Sequence, residues 1–157
     1  MKHSDLNWAK FIENGRKLVG KPYVFGAEVN LNEPDASKIK EIDCSELVEY
    51  LFANLLFVSG ERAGLAMPDG SYNQAKVVRK LEFRPDDTSS DVLLIGDLGF
   101  KWDPETNVIH HVGIFIDKGK VLEAKGKKWG VVLTDCADYV ASSHFAFWGR
   151  HRKIEDA

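Results

Sequence analysis

Two short segments of this sequence hold the residues that can do nucleophilic chemistry. Cys44 stands in the tetrapeptide Asp-Cys-Ser-Glu, at the start of an apolar segment with helical spacing. The unpaired N–H groups and the positive dipole end at a helix start favour a thiolate. Asp43 and Glu46 flank the cysteine, can form a capping box, and oppose thiolate formation by their charge. Cys44 is therefore a candidate nucleophile that needs a base, and the alternative is a buried structural thiol.

The candidate base comes from a pair of histidines. His110 and His111 open the clearest strand pattern, His-Val-Gly-Ile-Phe-Ile, and alternation along a strand sends their imidazoles to opposite faces. Gly113 falls on the same face as His111 and leaves space beside it for a neighbouring group. Taken alone, the pair is better explained as two histidines at a sheet edge with no catalytic role.

Helices that precede antiparallel strands must position these residues. Apolar spacing predicts helices over residues 5–19, with Ser4 or Asp5 as the N-cap, and over 44–58 and 72–81. The second half predicts strands over residues 108–116, 120–124, 131–133 and 145–148, with a turn at 117–119. This order is typical of an α+β domain.

Composition excludes several classes of protein. The chain has 157 residues and a net charge of −3, which predicts one domain and argues against a nucleic-acid binder. No apolar run reaches the roughly 18 residues of a membrane span. The two cysteines, Cys44 and Cys136, form no disulfide scaffold, and Cys136 is expected to be a structural thiol. Neither a phosphate loop nor zinc-ligand spacing is present, so we expect no metal and no cofactor.

Five short segments, in order along the chain, resemble one protein family. They are Leu-Val-Gly-Lys-Pro-Tyr-Val-Phe-Gly at 18–26, Asp-Cys-Ser at 43–45, Gly-Asp-Leu at 96–98, His-Val-Gly-Ile at 111–114 and Val-Leu-Glu-Ala at 121–124. On these segments the chain resembles the NlpC-type cysteine peptidases of the papain-like peptidoglycan hydrolase superfamily, from about residue 5 to residue 150. The resemblance implies one catalytic domain over residues 1–157. Its expected fold is α+β and papain-like, with N-terminal helices that carry the nucleophile packed on a small antiparallel sheet.

The resemblance also implies the catalytic residues. Cys44 is the expected nucleophile and His111 the general base and acid. The family places a third polar residue, usually histidine, twelve positions after the catalytic histidine, and that position here is Glu123. A carboxylate there would accept a hydrogen bond from the imidazole, fix its tautomer and stabilise the imidazolium.

The turn before Glu123 decides whether its side chain can reach His111. A two-residue turn would point Glu123 away from His111, whereas a three-residue turn with a bulge would place both on one face. The other candidates for an orienting residue are Asp97, Asp103, Glu105 and Asn107. Of these, Asp97 is expected to stabilise the start of a strand instead.

Three further residues are expected to bind substrate because similar enzymes use the matching positions. The Tyr23 hydroxyl is expected to help hold the oxyanion or one end of the substrate. Asp43 and Ser45 are expected to line the subsite for the N-terminal side of the peptide, although helix capping alone is the alternative. The chain departs from the family at Glu46, where glycine is frequent, and at Asp69, where a cation is frequent. These carboxylates leave the charge preference for substrate open.

The resemblance implies hydrolysis of a peptidoglycan stem peptide through a thioester intermediate, with the γ-D-glutamyl-diamino acid bond as the expected target. A muramoyl-alanine amidase or an acyltransferase on the same fold is the first alternative. A non-catalytic wall-binding or phage assembly module is the second. The first residues show no apolar segment typical of a secretory signal. We therefore expect a phage or prophage lysin, made in the cytoplasm and delivered to the wall by a phage particle, holin-dependent release or another route.

Overall fold

A computed structural model describes residues 1–82, 92–117, 119–142 and 144–156. The α-helices within these residues are α1 (Trp8–Leu18), α2 (Cys44–Ala53), α3 (Ser71–Val77) and α4 (Cys136–Ala141). The strands are β1 (Val78–Lys80), β2 (Leu98–Trp102), β3 (Ile109–Asp117), β4 (Lys120–Ala124), β5 (Val131–Asp135) and β6 (Phe145–His151). The strands form one antiparallel sheet in the order β1-β6-β2-β3-β4-β5. The predicted α+β class is confirmed.

The central helix, α2, is buried because its apolar residues cover most of its circumference. Leu47, Val48, Leu51 and Phe52 are fully buried, and the helix packs on β3. The helix ends at Ala53 rather than at the predicted residue 58. The Asn54 side chain donates hydrogen bonds to the carbonyl oxygens of Tyr50 and Leu31, which stops the helix. Of the apolar residues that follow, Leu55 stays in the core, whereas Val58 is exposed.

Other predicted boundaries also shift for local reasons. Helix α1 begins at Trp8 because Asn7, not Ser4 or Asp5, caps it by accepting a hydrogen bond from the Lys10 N–H at 3.0 Å. The predicted third helix stops at Val77, and the next three residues join the sheet beside β6. Strand β2 was not predicted, although Leu-Gly-Phe-Lys-Trp alternates in the manner of a strand.

The sheet has a different apolar cluster on each face. Val112 and Ile114 face the main core, which also holds α1 and α2. Phe115 belongs to the smaller cluster beneath α4. Gly113 faces that side as well, where an added Cβ would lie 2.9 Å from the Tyr139 hydroxyl oxygen. The space that Gly113 leaves is thus filled by Tyr139.

The β3–β4 hairpin contains a bulge. Asp117 lies opposite Lys120, but Phe115 lies opposite Val121, so Ile116 is an extra residue in β3. Ile116 is buried against α1, where an added Cβ on Gly15 would lie 2.3 Å from its Cδ1. Packing on α1 therefore helps to hold the bulge. None of the described helices has the length and apolar character needed to cross a membrane.

Candidate active site

The cysteine lies at the start of α2, where a capping box fixes the chain. The Asp43 carboxylate accepts a hydrogen bond from the Glu46 N–H at 2.9 Å, and the Glu46 carboxylate accepts one from the Asp43 N–H at 3.4 Å. The predicted capping box is therefore present. Cys44 falls on the first turn of the helix, with 8% of its surface exposed.

The Cys44 thiol lies against the backbone of β3. It donates a hydrogen bond to the carbonyl oxygen of His110, with Sγ 3.9 Å from that oxygen. Burial and the Asp43 charge raise the pKa of the thiol to about 11, and nearby backbone N–H groups lower it by less. The thiol therefore keeps its proton at neutral pH, because burial and the Asp43 charge outweigh the backbone N–H groups, and a base must remove it.

The His111 imidazole is held by a buried carboxylate. Its Nε2 lies 2.8 Å from Oε1 of Glu123, which is only 2% exposed. Burial tends to raise the pKa of Glu123, but hydrogen bonds from His111 and Thr134 and the His111 charge hold it below its usual range. An ionised Glu123 accepts a hydrogen bond from the Nε2–H of His111, which leaves the lone pair on Nδ1 free, so that His111 can act as a general base.

The hairpin bulge brings these two residues to the same face of the sheet. Ile114 lies opposite Leu122, and the same register puts Glu123 opposite Gly113. His111 is two positions from Gly113 on β3, so its imidazole and the carboxylate project to the same side. The turn between β3 and β4 is short, and the bulge within β3 supplies the extra residue that we expected in the turn. Lys118, in that turn, lies outside the described residues.

Two of the rival orienting residues, Asp97 and Asp103, are engaged elsewhere. Asp97 is buried and accepts hydrogen bonds from Nε and Nη2 of Arg150 at 2.8 and 2.7 Å. It also accepts one from the Leu94 N–H at 2.8 Å, so it stabilises the start of β2. Asp103 accepts a hydrogen bond from the Glu105 N–H in the turn before β3. Glu123 is therefore the carboxylate that the structure brings to His111.

Two of the expected substrate-binding residues support the helix start. The Ser45 hydroxyl donates to one Asp43 carboxylate oxygen at 3.2 Å, and the Gly26 N–H donates to the other at 3.1 Å. Both side chains are buried, and the capping role of Asp43 is evident. Tyr23 pairs with Ile42 just before this helix. Burial, then the charges of Cys44 and Asp43, raise the pKa of Tyr23, so its hydroxyl stays a donor.

An acidic cavity adjoins the start of α2. It has a volume of about 390 Å³, and carboxylates contribute much of its lining: Glu28, Asp43, Glu46, Glu49 and Asp69. Burial and the Asp43 charge raise the pKa of Glu46 to about 8. Burial and the Asp69 charge raise the pKa of Glu49 to about 7. The two carboxylates that depart from the family pattern, Glu46 and Asp69, thus line the same cavity.

Residues missed from the sequence surround the His111–Glu123 pair. The Thr134 hydroxyl donates to Oε2 of Glu123 at 2.5 Å. The Lys101 ammonium lies 4.0 Å from the centroid of the Tyr139 ring. Lys101 lies opposite His111 because β2 pairs with β3. The alternation of β5 indicates which face of the strand Thr134 lies on. The sequence does not specify the register of β5 against β4, so it could not identify Glu123 as the partner of Thr134.

The second cysteine has a separate position. Cys136 is buried beneath the sheet at the start of α4, and burial raises its pKa to about 11. This environment is typical of a structural thiol. Across residues 1–82, 92–117, 119–142 and 144–156, no group of three or more His, Cys, Asp or Glu side chains is arranged to hold a metal ion.

Comparison with protein families matches residues 20–150 of the chain to the model of the NlpC/P60 family. The matched range covers most of the chain, including Tyr23, Cys44, His111 and Glu123. A comparison with curated protein sequences gave no match.

Solved structures share this fold. NlpC2 of Trichomonas vaginalis has a TM-score of 0.66 and 17% identity, covering 92% of this chain and 46% of its own. The P60 domain of an antigen from M. avium subspecies paratuberculosis has a TM-score of 0.61 and 26% identity, covering 91% and 93%. The peptidoglycan hydrolase RipB of Mycobacterium tuberculosis has a TM-score of 0.62 and 24% identity, covering 95% and 65%. The chain thus spans less than half of the first of these. The likeness confirms the predicted papain-like fold.

Proposed function

The chain belongs to the NlpC/P60 family, and on that premise we propose that it is a cysteine peptidase that hydrolyses an amide bond in peptidoglycan stem peptides. The observation that carries the proposal is the hydrogen bond between His111 and buried Glu123, next to the strand position that the Cys44 thiol contacts. A nucleophile, a base and a group that orients the base are the parts such a reaction needs. The likeness to RipB, a peptidoglycan hydrolase, favours the same class of substrate.

The reaction begins with activation of the thiol. The Cys44 thiol turns from the His110 carbonyl oxygen to Nδ1 of His111 and transfers its proton there. The imidazolium that forms is stabilised by the Glu123 carboxylate at Nε2. Because burial and the Asp43 charge raise the pKa of the Cys44 thiol to about 11, this stabilisation of the imidazolium determines how much thiolate is present at neutral pH.

Acyl transfer then follows in two steps. The thiolate attacks the carbonyl carbon, and the Cys44 N–H and the Tyr23 hydroxyl donate hydrogen bonds to the oxyanion. His111 protonates the leaving amine, which departs and leaves a thioester on Cys44. His111 next takes a proton from water, the hydroxide attacks the thioester, and the acid product leaves as His111 returns the proton to the Cys44 sulfur.

The proposed bond lies between γ-D-glutamate and a diamino acid, as the resemblance to the family implies. Asp43, Ser45 and Tyr23 are the proposed substrate contacts near the nucleophile. The acidic cavity beside Asp43 favours a substrate segment that carries an amino group over one that carries only carboxylates. Delivery to the wall by a phage particle or by holin-dependent release stays a prediction.

Mass spectrometry of muropeptides tests the proposal. Purified protein is incubated with isolated peptidoglycan, and fragments whose masses sum to the parent plus one water are identified. Cys44→Ala serves as the inactive control, and Cys136→Ala as the matched cysteine control. New fragments that end in γ-D-glutamate are expected with the wild type and with Cys136→Ala. Identical fragments from wild type and Cys44→Ala would overturn the proposal, and lactate-linked cleavage would favour the amidase alternative.

A further inference from the structure

The carboxylate of Glu123 has two oxygens, and each has its own partner. Oε1 accepts a hydrogen bond from Nε2 of His111 at 2.8 Å, and Oε2 accepts one from the Thr134 hydroxyl at 2.5 Å. Glu123 lies opposite Val132 in the β4–β5 pairing, and Thr134 is two positions further along β5. Val132, Thr134 and Glu123 therefore project to the same face.

Burial makes this second hydrogen bond important. Glu123 is 2% exposed, so water does not supply the hydrogen bonds that an ionised carboxylate requires. A single bond to His111 would fix one oxygen but would leave the carboxylate plane free to turn. The Thr134 hydroxyl fixes the other oxygen and so sets the direction in which Oε1 meets the imidazole.

The surrounding side chains leave little freedom for another arrangement. Tyr139 fills the space over Gly113, and its hydroxyl donates to the Gly99 carbonyl oxygen at 2.8 Å. Its ring lies 6.2 Å from the His111 ring, centroid to centroid. The tyrosine hydroxyl is thus committed to the backbone, and Thr134 is the side-chain donor that Glu123 has besides His111 among the hydrogen bonds of the described residues.

We propose that Thr134 is a positioning residue, which holds Glu123 ionised and correctly oriented so that Glu123 can stabilise the His111 imidazolium. The inference rests on the proposed function, in which that imidazolium balances the Cys44 thiolate. It extends the proposed chain of contacts from Cys44, His111 and Glu123 to a fourth residue on β5. The hydrogen bond also contributes to the lowered pKa of Glu123.

Alkylation of Cys44 by iodoacetamide tests this role without any peptidoglycan substrate. The rate is measured from pH 4 to pH 9 by peptide mapping, which separates Cys44 from Cys136. Thr134→Val removes the hydroxyl and keeps the shape, whereas Thr134→Ser keeps the hydroxyl. Asp135→Asn is the control. Asp135 is an exposed residue of the same strand, and its carboxylate forms an ion pair with Lys120.

The expected effect of Thr134→Val is a roughly tenfold fall in the alkylation rate at pH 7. The acid limb of the pH profile should move to higher pH, because Glu123 without its donor binds a proton more readily. Thr134→Ser and Asp135→Asn should stay near the wild-type rate. In a Glu123→Ala background, Thr134→Val should add no further loss, because its target is gone.

Several outcomes would overturn the positioning role. These are a folded Thr134→Val variant with the wild-type rate and pH profile, equal loss in Thr134→Ser, or an undiminished effect in the Glu123→Ala background. Thermal melting checks folding, and Thr134→Ala replaces the valine variant if that one does not fold. If the wild type cuts no peptidoglycan but the alkylation series behaves as expected, the proposed function fails and the role of Thr134 stands. Cleavage with an unchanged Thr134→Val profile overturns only the role of Thr134.

Discussion

Glu123→Gln isolates the charge of the orienting residue while it keeps the side-chain shape. In the wild type, the carboxylate oxygen lies 2.8 Å from Nε2 of His111, and Glu123 itself is almost fully shielded from water. A charge-assisted hydrogen bond of this length is stronger than a neutral one. The substitution therefore should act mainly on the step in which the imidazole becomes an imidazolium.

The magnitude follows from the distance. Opposite charges with centres about 4 Å apart interact by about 4 kcal/mol at an effective dielectric constant of 20. A neutral amide keeps about 1 kcal/mol of this as an ordinary hydrogen bond. The remaining difference of about 3 kcal/mol corresponds to a loss of roughly two orders of magnitude in kcat/KM. Because Cys44 and His111 remain, the loss should be smaller than for Cys44→Ala.

A soluble stem-peptide substrate, with product measured by mass spectrometry, gives kcat and KM separately. The loss should fall on kcat, because Glu123 is buried and does not contact substrate. Glu123→His should recover part of the activity, since histidine is the usual residue at this position in similar enzymes. A folded Glu123→Gln variant within threefold of wild-type kcat would refute the reasoning, because charge at this position would then not matter.

Three more predictions use matched variants. Cys44→Ala should abolish the loss of cell-wall turbidity with an unchanged melting temperature, whereas Cys136→Ala should keep activity. Full activity in Cys44→Ala would refute the assignment of Cys44 as the nucleophile. His111→Ala should be inactive and His110→Ala largely active in the same assay, and the reverse order would mean that the strand alternation is wrong by one residue. The pKa of Glu46 is raised from 4.5 to about 8, so its contribution to stability is present below pH 4.5 and is lost as pH rises through 8. Glu46→Gln, which keeps the capping box, should therefore melt at a higher temperature than wild type at pH 9 but not at pH 4. The same difference in melting temperature at both pH values would contradict this.

The local parts of the site could be predicted from the sequence. The capping box at Asp43 and Glu46 lies within four residues, so the helix start at Cys44 follows from local chemistry. The strand that begins near His111 follows from alternation, and the Asp97 carboxylate has the expected role at the start of β2. In each of these cases, neighbouring residues in the chain decide the structure.

The remaining parts depend on contacts between distant segments. The pKa of the Cys44 thiol is raised because the whole fold buries it, and a helix start alone predicts the opposite direction. The partnership of Thr134 with Glu123 requires the β4–β5 register, which the sequence does not specify. The end of α2 moves to Ala53 because Asn54 bonds to Leu31 in a preceding loop. Each of these outcomes is a property of tertiary packing.

The bulge at Ile116 has a consequence for counting along the chain. In a hairpin joined by a two-residue turn, opposite residues are an odd number of positions apart, and so are any two residues that share a face across it. His111 and Glu123 share a face but are twelve positions apart. An even separation across such a turn requires an odd number of additional residues, and Ile116 is that residue. Parity alone can thus reveal a bulge in a chain whose pairing is unknown, and deletion of one hairpin residue would invert the parity and separate the pair.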